Sequence, residues 1–298
     1  AVLYHSLNHA FMKSLLFLGT GAVLHATGER NLGRLGGLIH RMPWAAWLTL
    51  VGVLAIAGLP PLNGFVSEWL LLQTFLFSHE VPQPFVNMLL PLGAAIVALA
   101  AALAGYVMVK FFGIVFLGQP RESSLAAAHD VGGFEKAGLV WLAIGCVLLG
   151  LLPRQVIHSL AAATEQLTGA APNLAGQSWW LLAPLTERDV SYAPLVLLAV
   201  IVAVVVATFL IVRVVYRRPV RLAAPWDCGC GRLDPRMQDT AEGFGQPIRH
   251  IFVSFFAMER DLPSPHDLAP RYRVKVSDRL WQGAYLPIAD LLQRARST

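Results

Sequence analysis

Three ionisable side chains lie at four-residue intervals in the first apolar stretch of the sequence, "LYHSLNHAFMKSLLFLGTGAVL". They are His5, His9 and Lys13. Residues at positions i, i+4 and i+8 share one face of a helix. Because an unpaired charge at the middle of a bilayer costs about 3 kcal/mol or more, we predict that this polar stripe faces protein or internal water rather than lipid.

A stripe of this composition suits proton transfer. Burial and a neighbouring positive charge both make a lysine or a histidine release its proton more readily, and an imidazole can pass a proton from one partner to the next. The alternative is that Lys13 snorkels to the membrane surface and the histidines lie at the interface. Lys13 is near the middle of the apolar stretch, which favours the relay.

Glu68 is the second candidate, in "GLPPLNGFVSEWLLL". The prolines and glycines before it must interrupt a helix. Unwound backbone at membrane depth serves ion sites in transporters, so Glu68 is a candidate proton site. The alternative is an acid near a helix N-terminus, stabilised there by the helix dipole. The residues alone leave both interpretations open.

Lys110 is a lesser candidate. It shares a helix face with Tyr106, but it lies close to the end of an apolar run. Snorkelling, or contact with a neighbouring aromatic ring, explains it as well as a proton role does. His25, His40 and His158 fall at the edges of apolar runs or in loops, and we interpret them as interface residues.

The elements that carry these residues are predicted to be membrane helices. Of the 298 residues, 56% are hydrophobic and only 14% are charged, whereas about 25% is usual in a soluble domain. A bilayer span needs about 20 apolar residues. We predict an all-α polytopic membrane protein with one discontinuous helix, broken at 58–64. Its helical elements are 2–25, 43–58, 62–78, 85–117, 137–153 and 192–216. No nucleic-acid-binding module is visible.

Four regions follow from this pattern. Residues 1–155 form the main transmembrane domain, with about five helical elements. Residues 156–191 form a connector that lies partly along the membrane surface. Residues 192–216 form the last span, and 217–298 form a tail rich in proline and arginine.

Arginines clustered at the end of the last span place the tail in the cytoplasm by the positive-inside rule. They are Arg213, Arg217, Arg218 and Arg221. Loop 118–136 then lies on the same side, while the side of loop 27–43 stays open. Near the end of the tail, helical spacing predicts an amphipathic helix on the membrane or on a partner subunit. Its apolar positions are Leu280, Ala284, Ile288 and Leu291, with Asp278 in its first turn.

The three cysteines, Cys146, Cys228 and Cys230, are too few for an iron–sulfur cluster with four cysteine ligands. No further Cys or His pair has zinc-ligand spacing. We predict that "WDCGCG" is a tight turn with incidental thiols, and that the chain holds no cofactor and no metal. The sequence begins without an initiator Met and inside an apolar run, so we expect it to be the later part of a larger protein.

The two motifs "HSLNHAFMKSLLFL" and "GLPPLNGFVSEWLLL", some 55 residues apart, resemble those of the antiporter-like proton-pumping subunits of respiratory complex I and its relatives. The resemblance covers roughly residues 1–155. It implies the second half of an antiporter-like helix bundle, with His5, His9 and Lys13 in a central proton relay. Glu68 takes the terminal position, where the most distal complex I subunit has lysine.

The tail segment "WDCGCGRLDPRMQDTAEGFGQPIRHIF" resembles the large antiporter-like subunit of hydrogenase-4-type and formate hydrogenlyase complexes. This implies a subunit of an oxidoreductase complex in a bacterial or archaeal inner membrane. Its partners would be the other membrane and peripheral subunits, which would carry all the redox chemistry. Two alternatives remain, a subunit of a multisubunit cation/proton antiporter and a passive membrane scaffold.

Overall fold

The computed structural model describes residues 1–76, 82–170, 181–182, 191–215, 223, 226, 228–229, 231, 233–268 and 273–297. The chain divides into two compact units, Ala1–Gln238 and Asp239–Thr298. The first unit is helical and carries the apolar runs. The second combines two helices with a two-stranded sheet.

The first unit contains eight helices within the described residues. They are α1 (Val2–Thr27), α2 (Pro43–Ile56), α3 (Asn63–Leu76), α4 (Pro84–Phe116), α5 (Gly133–Leu151), α6 (Pro153–Ser159), α7 (Ala161–Thr168) and α8 (Pro194–Val215). Four of them, α1, α4, α5 and α8, are long and apolar enough to cross a membrane, and α2 is a shorter apolar helix. The predicted multi-pass helical architecture is confirmed.

Helix α1 lies at the centre of the first unit and contacts α2, α3 and α5, while α4 packs on α2 and α3. The core contains Met12 and Leu15 of α1 and Leu139 of α5, all almost fully buried. Small residues let α1 and α2 approach closely. A methyl group on Gly52 of α2 would lie 3.1 Å from the Leu15 side chain.

The predicted discontinuity separates α2 from α3. Gly58 ends α2 with φ 67°, a left-handed conformation that glycine adopts without steric cost. The N–H groups of Gly58 and Leu59 donate to the carbonyls of Ala55 and Leu54, at 3.1 and 3.0 Å. The prediction of two elements, 43–58 and 62–78, is confirmed for the described residues, which stop at 76.

The junction between α2 and α3 also lies directly against α5. A Cβ atom on Gly150 of α5 would be 2.3 Å from the carbonyl oxygen of Pro61 and 2.7 Å from the nitrogen of Asn63. Only a glycine allows the two backbones to come this close. The junction between α2 and α3 is therefore held in place by the backbone of α5.

The connector predicted at 156–191 is helical over its first part, where α6 and α7 follow each other almost directly. Residues 171–180 and 183–190 lie outside the described part of the chain, as do Arg217, Arg218 and Arg221 of the arginine cluster. In "WDCGCG", Cys228 has φ 54° and Gly229 has φ 80°. A tight turn is confirmed at these two residues, whereas Cys230 is not among those described.

The second unit contains α9 (Ala241–Ile251), β1 (Phe256–Asp261), β2 (Arg273–Asp278) and α10 (Leu286–Ser297), with a π-helical turn at Trp281–Tyr285 before α10. The antiparallel strands pair Phe256 with Asp278 and Asp261 with Arg273. We did not predict this hairpin from the sequence. The helix predicted around Leu280–Leu291 is present. Asp278 precedes it and accepts hydrogen bonds from the N–H groups of Leu280 (2.9 Å) and Trp281 (3.1 Å).

Candidate proton-relay site

The polar stripe of α1 is present as predicted. The imidazole rings of His5 and His9 are 6.0 Å apart between centroids. Lys13 lies one turn further on, with its Nζ 5.8 Å from the centre of the Phe17 ring, within the range of a cation–π contact. His5 is half-buried, whereas His9 and Lys13 are exposed on the described chain. Among the described residues, His5 is the member of the stripe that packs against another helix.

His5 joins α1 to α3. Its Nδ1 lies 3.0 Å from the hydroxyl oxygen of Ser67, the residue before Glu68. The same hydroxyl is 3.1 Å from the carbonyl oxygens of Asn63 and Gly64. A hydroxyl has only one proton to donate. When Ser67 donates that proton to a carbonyl, it accepts from Nδ1–H of His5, and Nε2 is then the nitrogen left to exchange a proton.

A second pair of residues ties the same two helices together. Nδ2 of Asn8 donates to the carbonyl of Asn63, and Nδ2 of Asn63 donates to the carbonyl of Asn8, both at 3.1 Å. Both side chains are 0% exposed. Because a backbone carbonyl can only accept, these two contacts fix the orientation of both amides.

That orientation leaves two oxygens without donors. Oδ1 of Asn8 and Oδ1 of Asn63 are buried and have no hydrogen-bond partner within the described residues. A buried polar atom left unsatisfied costs about 1–3 kcal/mol. An unsatisfied buried polar atom in a native protein calls for an explanation, and the usual ones are a bound water or ion, stored strain, or a functional role.

Glu68 lies on α3 beside the junction and is half-buried. It is the sixth residue of α3, whose first turn contains no acidic residue. The alternative of a helix N-terminal acid is therefore wrong. Its Oε2 lies against Gly58, only 2.7 Å from where a Cβ on that glycine would stand. Within the described residues, no ion pair links Glu68 to a cation.

Lys110 lies on α4, six residues before that helix ends at Phe116. It is half-buried, and α4 packs on α2 and α3. The structure places Lys110 on a different helix from the stripe. Its proton role stays a prediction.

The other end of α1 carries a separate polar cluster. Nδ1 of His25 is 3.1 Å from Oε1 of Glu135 on α5, and the His25 and His129 rings meet edge to face. Asp130 accepts hydrogen bonds from the N–H groups of Trp44 and Ala45, at the start of α2. These residues join helix ends at an exposed surface, and the prediction that His25 lies at the membrane interface stays a prediction.

The residues that sequence reasoning missed are Asn8, Asn63 and Ser67. They are neutral, so a search for ionisable groups passes over them. A visible signal was available, since asparagine is uncommon in an apolar helix and Asn8 lies between His5 and His9. No group of three or more His, Cys, Asp or Glu residues that could hold a metal occurs within the described ranges.

Comparison with known proteins agrees with the motifs. Residues 1–90 match the family described as NADH:quinone oxidoreductase/Mrp antiporter, transmembrane. These residues belong to that antiporter-like membrane family. The match includes all of α1, α2 and α3, and with them the polar stripe, Ser67 and Glu68.

Two curated relatives extend the similarity beyond residue 90. The chain is 33% identical to formate hydrogenlyase subunit 3 of Escherichia coli over 94% of this chain and 43% of that protein. It is 35% identical to an uncharacterized protein of Mycobacterium tuberculosis over 100% of this chain and 49% of that protein. The chain thus spans about half the length, or less, of these relatives. The predicted resemblance to the hydrogenase-type antiporter-like subunits is confirmed.

A solved structure shows the same fold. A chain of the membrane-bound sulfane sulfur reductase, an archaeal respiratory membrane complex, aligns with 99% of this chain and 43% of its own length. The TM-score is 0.66 at 23% sequence identity. The alignment covers both units and supports the arrangement within each of them.

Proposed function

We propose that this chain supplies a proton-translocating part of a membrane subunit in a hydrogenase-4-like or complex I-like oxidoreductase complex. One observation carries the proposal: His5, in the polar stripe of α1, hydrogen-bonds Ser67 beside Glu68 at the break between α2 and α3. This contact links the two motifs through side chains. The similarity to formate hydrogenlyase subunit 3 supports the hydrogenase-type assembly.

The relay works by exchange at imidazole nitrogens. His5 holds Nδ1 against Ser67 and exchanges a proton through Nε2 with His9, directly or through one bridging water. Lys13 extends the path by one further turn along α1. A lysine and a histidine exposed on an apolar helix are costly against lipid, so the face that carries them is covered by protein or hydrated in the assembly.

Glu68 is the terminal proton site in this scheme. Its carboxyl group can hold a proton as a neutral acid and release it as an anion. In this proposal the electron donors and acceptors bind to other subunits. We place the protein in the inner membrane of a bacterial or archaeal cell, with the tail on the cytoplasmic side.

The test measures proton transport by the full-length protein in its complex, reconstituted into vesicles. Lys13→Ala and Glu68→Gln each remove a proton carrier and should lower redox-driven proton flux by about a hundredfold, the lower end for a lost acid–base group. Lys136→Ala is the matched control, because Lys136 lies over the Trp44 ring (4.1 Å) at the other polar cluster. If both relay variants pump normally, the chain is a passive scaffold.

The family description also names Mrp antiporters, which favours cation/proton exchange as the second candidate function. The same vesicles distinguish the two. An antiporter acidifies or alkalises the lumen when a sodium or potassium gradient is imposed without any reductant. A redox-coupled pump responds only when the electron donor and acceptor are supplied.

A further inference from the structure

Two features of the structure require a glycine at position 58, and only one of them is the turn. The Gly58 φ of 67° is required where α2 ends. The second feature is the limited space: an added Cβ atom would stand 2.7 Å from Oε2 of Glu68 and 3.6 Å from its Cδ. A contact of 2.7 Å is closer than non-bonded carbon and oxygen atoms tolerate, so one group must move.

The surroundings decide which group moves. The junction backbone is held by two close approaches: a Cβ on Gly64 would lie 1.8 Å from the carbonyl oxygen of Ala55, and a Cβ on Gly150 would lie 2.3 Å from that of Pro61. Such tight backbone contacts leave no room for the junction to shift. The Glu68 carboxyl group, at the end of a flexible side chain, is the part that yields.

Because Gly58 has no side chain, the Glu68 carboxyl group can occupy the space beside it. It rests beside the C-terminal end of α2, the negative end of that helix dipole. There a protonated carboxyl group can donate a hydrogen bond to a backbone carbonyl, whereas a carboxylate can only accept. A side chain at position 58 would push the group away from this end.

We propose that Gly58 is a positioning residue that sets where the Glu68 carboxyl group takes up and releases its proton. The inference rests on the proposed function of Glu68 in proton transfer. It predicts that Gly58 is required for more than the shape of the turn, and that a methyl group there displaces the acid while the break between the helices persists.

Gly28 provides a matched control. It ends α1 with φ 66°, and none of the described residues has an atom within 4 Å of its Cβ position, its chain neighbours and its own helix apart. Gly58→Ala and Gly28→Ala therefore impose the same conformational strain at a helix C-terminus. The two variants differ in the displacement of Glu68. Their thermal stabilities should fall by similar amounts.

The experiment compares both variants in the full-length protein within its reconstituted complex. We expect Gly58→Ala to lower redox-driven proton flux by about tenfold, because small misplacements of a reacting group are costly, and Gly28→Ala to keep at least half of the flux. The infrared C=O band that disappears in Glu68→Gln should shift in Gly58→Ala and stay in place in Gly28→Ala. Shortening the acid in Gly58→Ala/Glu68→Asp should restore part of the flux.

Equal losses of flux in the two glycine variants, with an unshifted carboxyl band, would overturn the positioning role while leaving Glu68 as a proton site. Normal flux in Glu68→Gln would overturn the proposed function of Glu68 and the role of Gly58 together. The carboxyl band reports the position of Glu68 independently of pumping, so the two failures can be told apart.

Discussion

The two ends of α1 use the same side-chain atom for different purposes. Twenty residues separate His5 from His25, or about 30 Å along a helix. Each imidazole meets a neighbouring helix through Nδ1, at 3.0 Å for Ser67 and 3.1 Å for Glu135. At one end the partner is a buried hydroxyl. At the other it is a carboxylate, and the two side chains are 67% and 36% exposed.

This difference shows that residue type alone does not identify a relay group. At the His25 end, charged groups complete helix ends in a solvated setting, where an ion pair contributes little to stability. At the His5 end, neutral amides and a hydroxyl hold an interrupted helix, and two buried oxygens have no hydrogen-bond partner in the described part of the chain. The first arrangement fastens helices together, and the second keeps an imidazole beside a candidate proton site.

The largest expected effect is a loss of stability. It is tested by replacing an asparagine with aspartate near each end of α1. Asn8→Asp replaces a buried donor with an acceptor that faces the Asn63 carbonyl, so it should destabilise the protein by about 3 kcal/mol or more. Asn31→Asp is the control, because Asn31 already uses its Oδ1 as the acceptor for Gly33 N–H at 2.8 Å. That change should stay within about 0.5 kcal/mol.

The stability of both variants is measured by unfolding the purified full-length protein in detergent, once with heat and once with denaturant. Equal destabilisation would mean that the buried amide pair is no more demanding than an exposed turn. The proposed distinction between the two ends would then fail.

A smaller effect is expected at the start of α2. The Asp130 carboxylate accepts from the N–H groups of Trp44 (2.8 Å), Ala45 (3.2 Å) and Val131 (2.8 Å). It thus acts as a helix cap supplied from a distant loop. Asp130→Ala should cost about 1–2 kcal/mol, while Asp130→Asn, which keeps one acceptor oxygen, should lose about half as much.

The same unfolding measurements test this cap, together with proton flux. Because this cap lies at the His25 end of α1, away from the proposed relay, the proton flux per folded complex should be unchanged in both variants. A large loss of flux without a loss of stability would place Asp130 in the transport path and break the comparison.

Much of this architecture could be predicted from the sequence, for physical reasons. Long apolar runs fix the spans, and the residues Pro60 and Pro61 with their flanking glycines fix the break. Four-residue spacing fixes the stripe. The partner of His5 could not be predicted, since Ser67 is neutral and 62 residues away. The hairpin of the second unit was also missed, because both strands are short and β1, "FAMERD", does not alternate between apolar and polar residues.

The smallest expected effect is a pH dependence at the His25 end. Backbone N–H groups of Asn31 and Arg30, with the Arg34 guanidinium, hold the pKa of the Glu29 carboxyl below its usual value. A lowered folded-state pKa contributes stability that is present above the unfolded value and lost as the pH falls through the folded value. Glu29→Gln should therefore lower the melting temperature at pH 7, and this difference should shrink below about pH 4.5, the ordinary value for the carboxyl.

Melting temperatures of the wild-type protein and of Glu29→Gln, taken between pH 7 and pH 3, give this difference directly. Glu122→Gln is the control, because the Glu122 side chain makes no capping hydrogen bond to the helical turn that follows it. A difference for Glu29→Gln that is constant over the whole range would show that the negative charge of the carboxylate adds nothing to the stability of this turn. Charge would then no longer distinguish the His25 end from the buried, neutral network around His5.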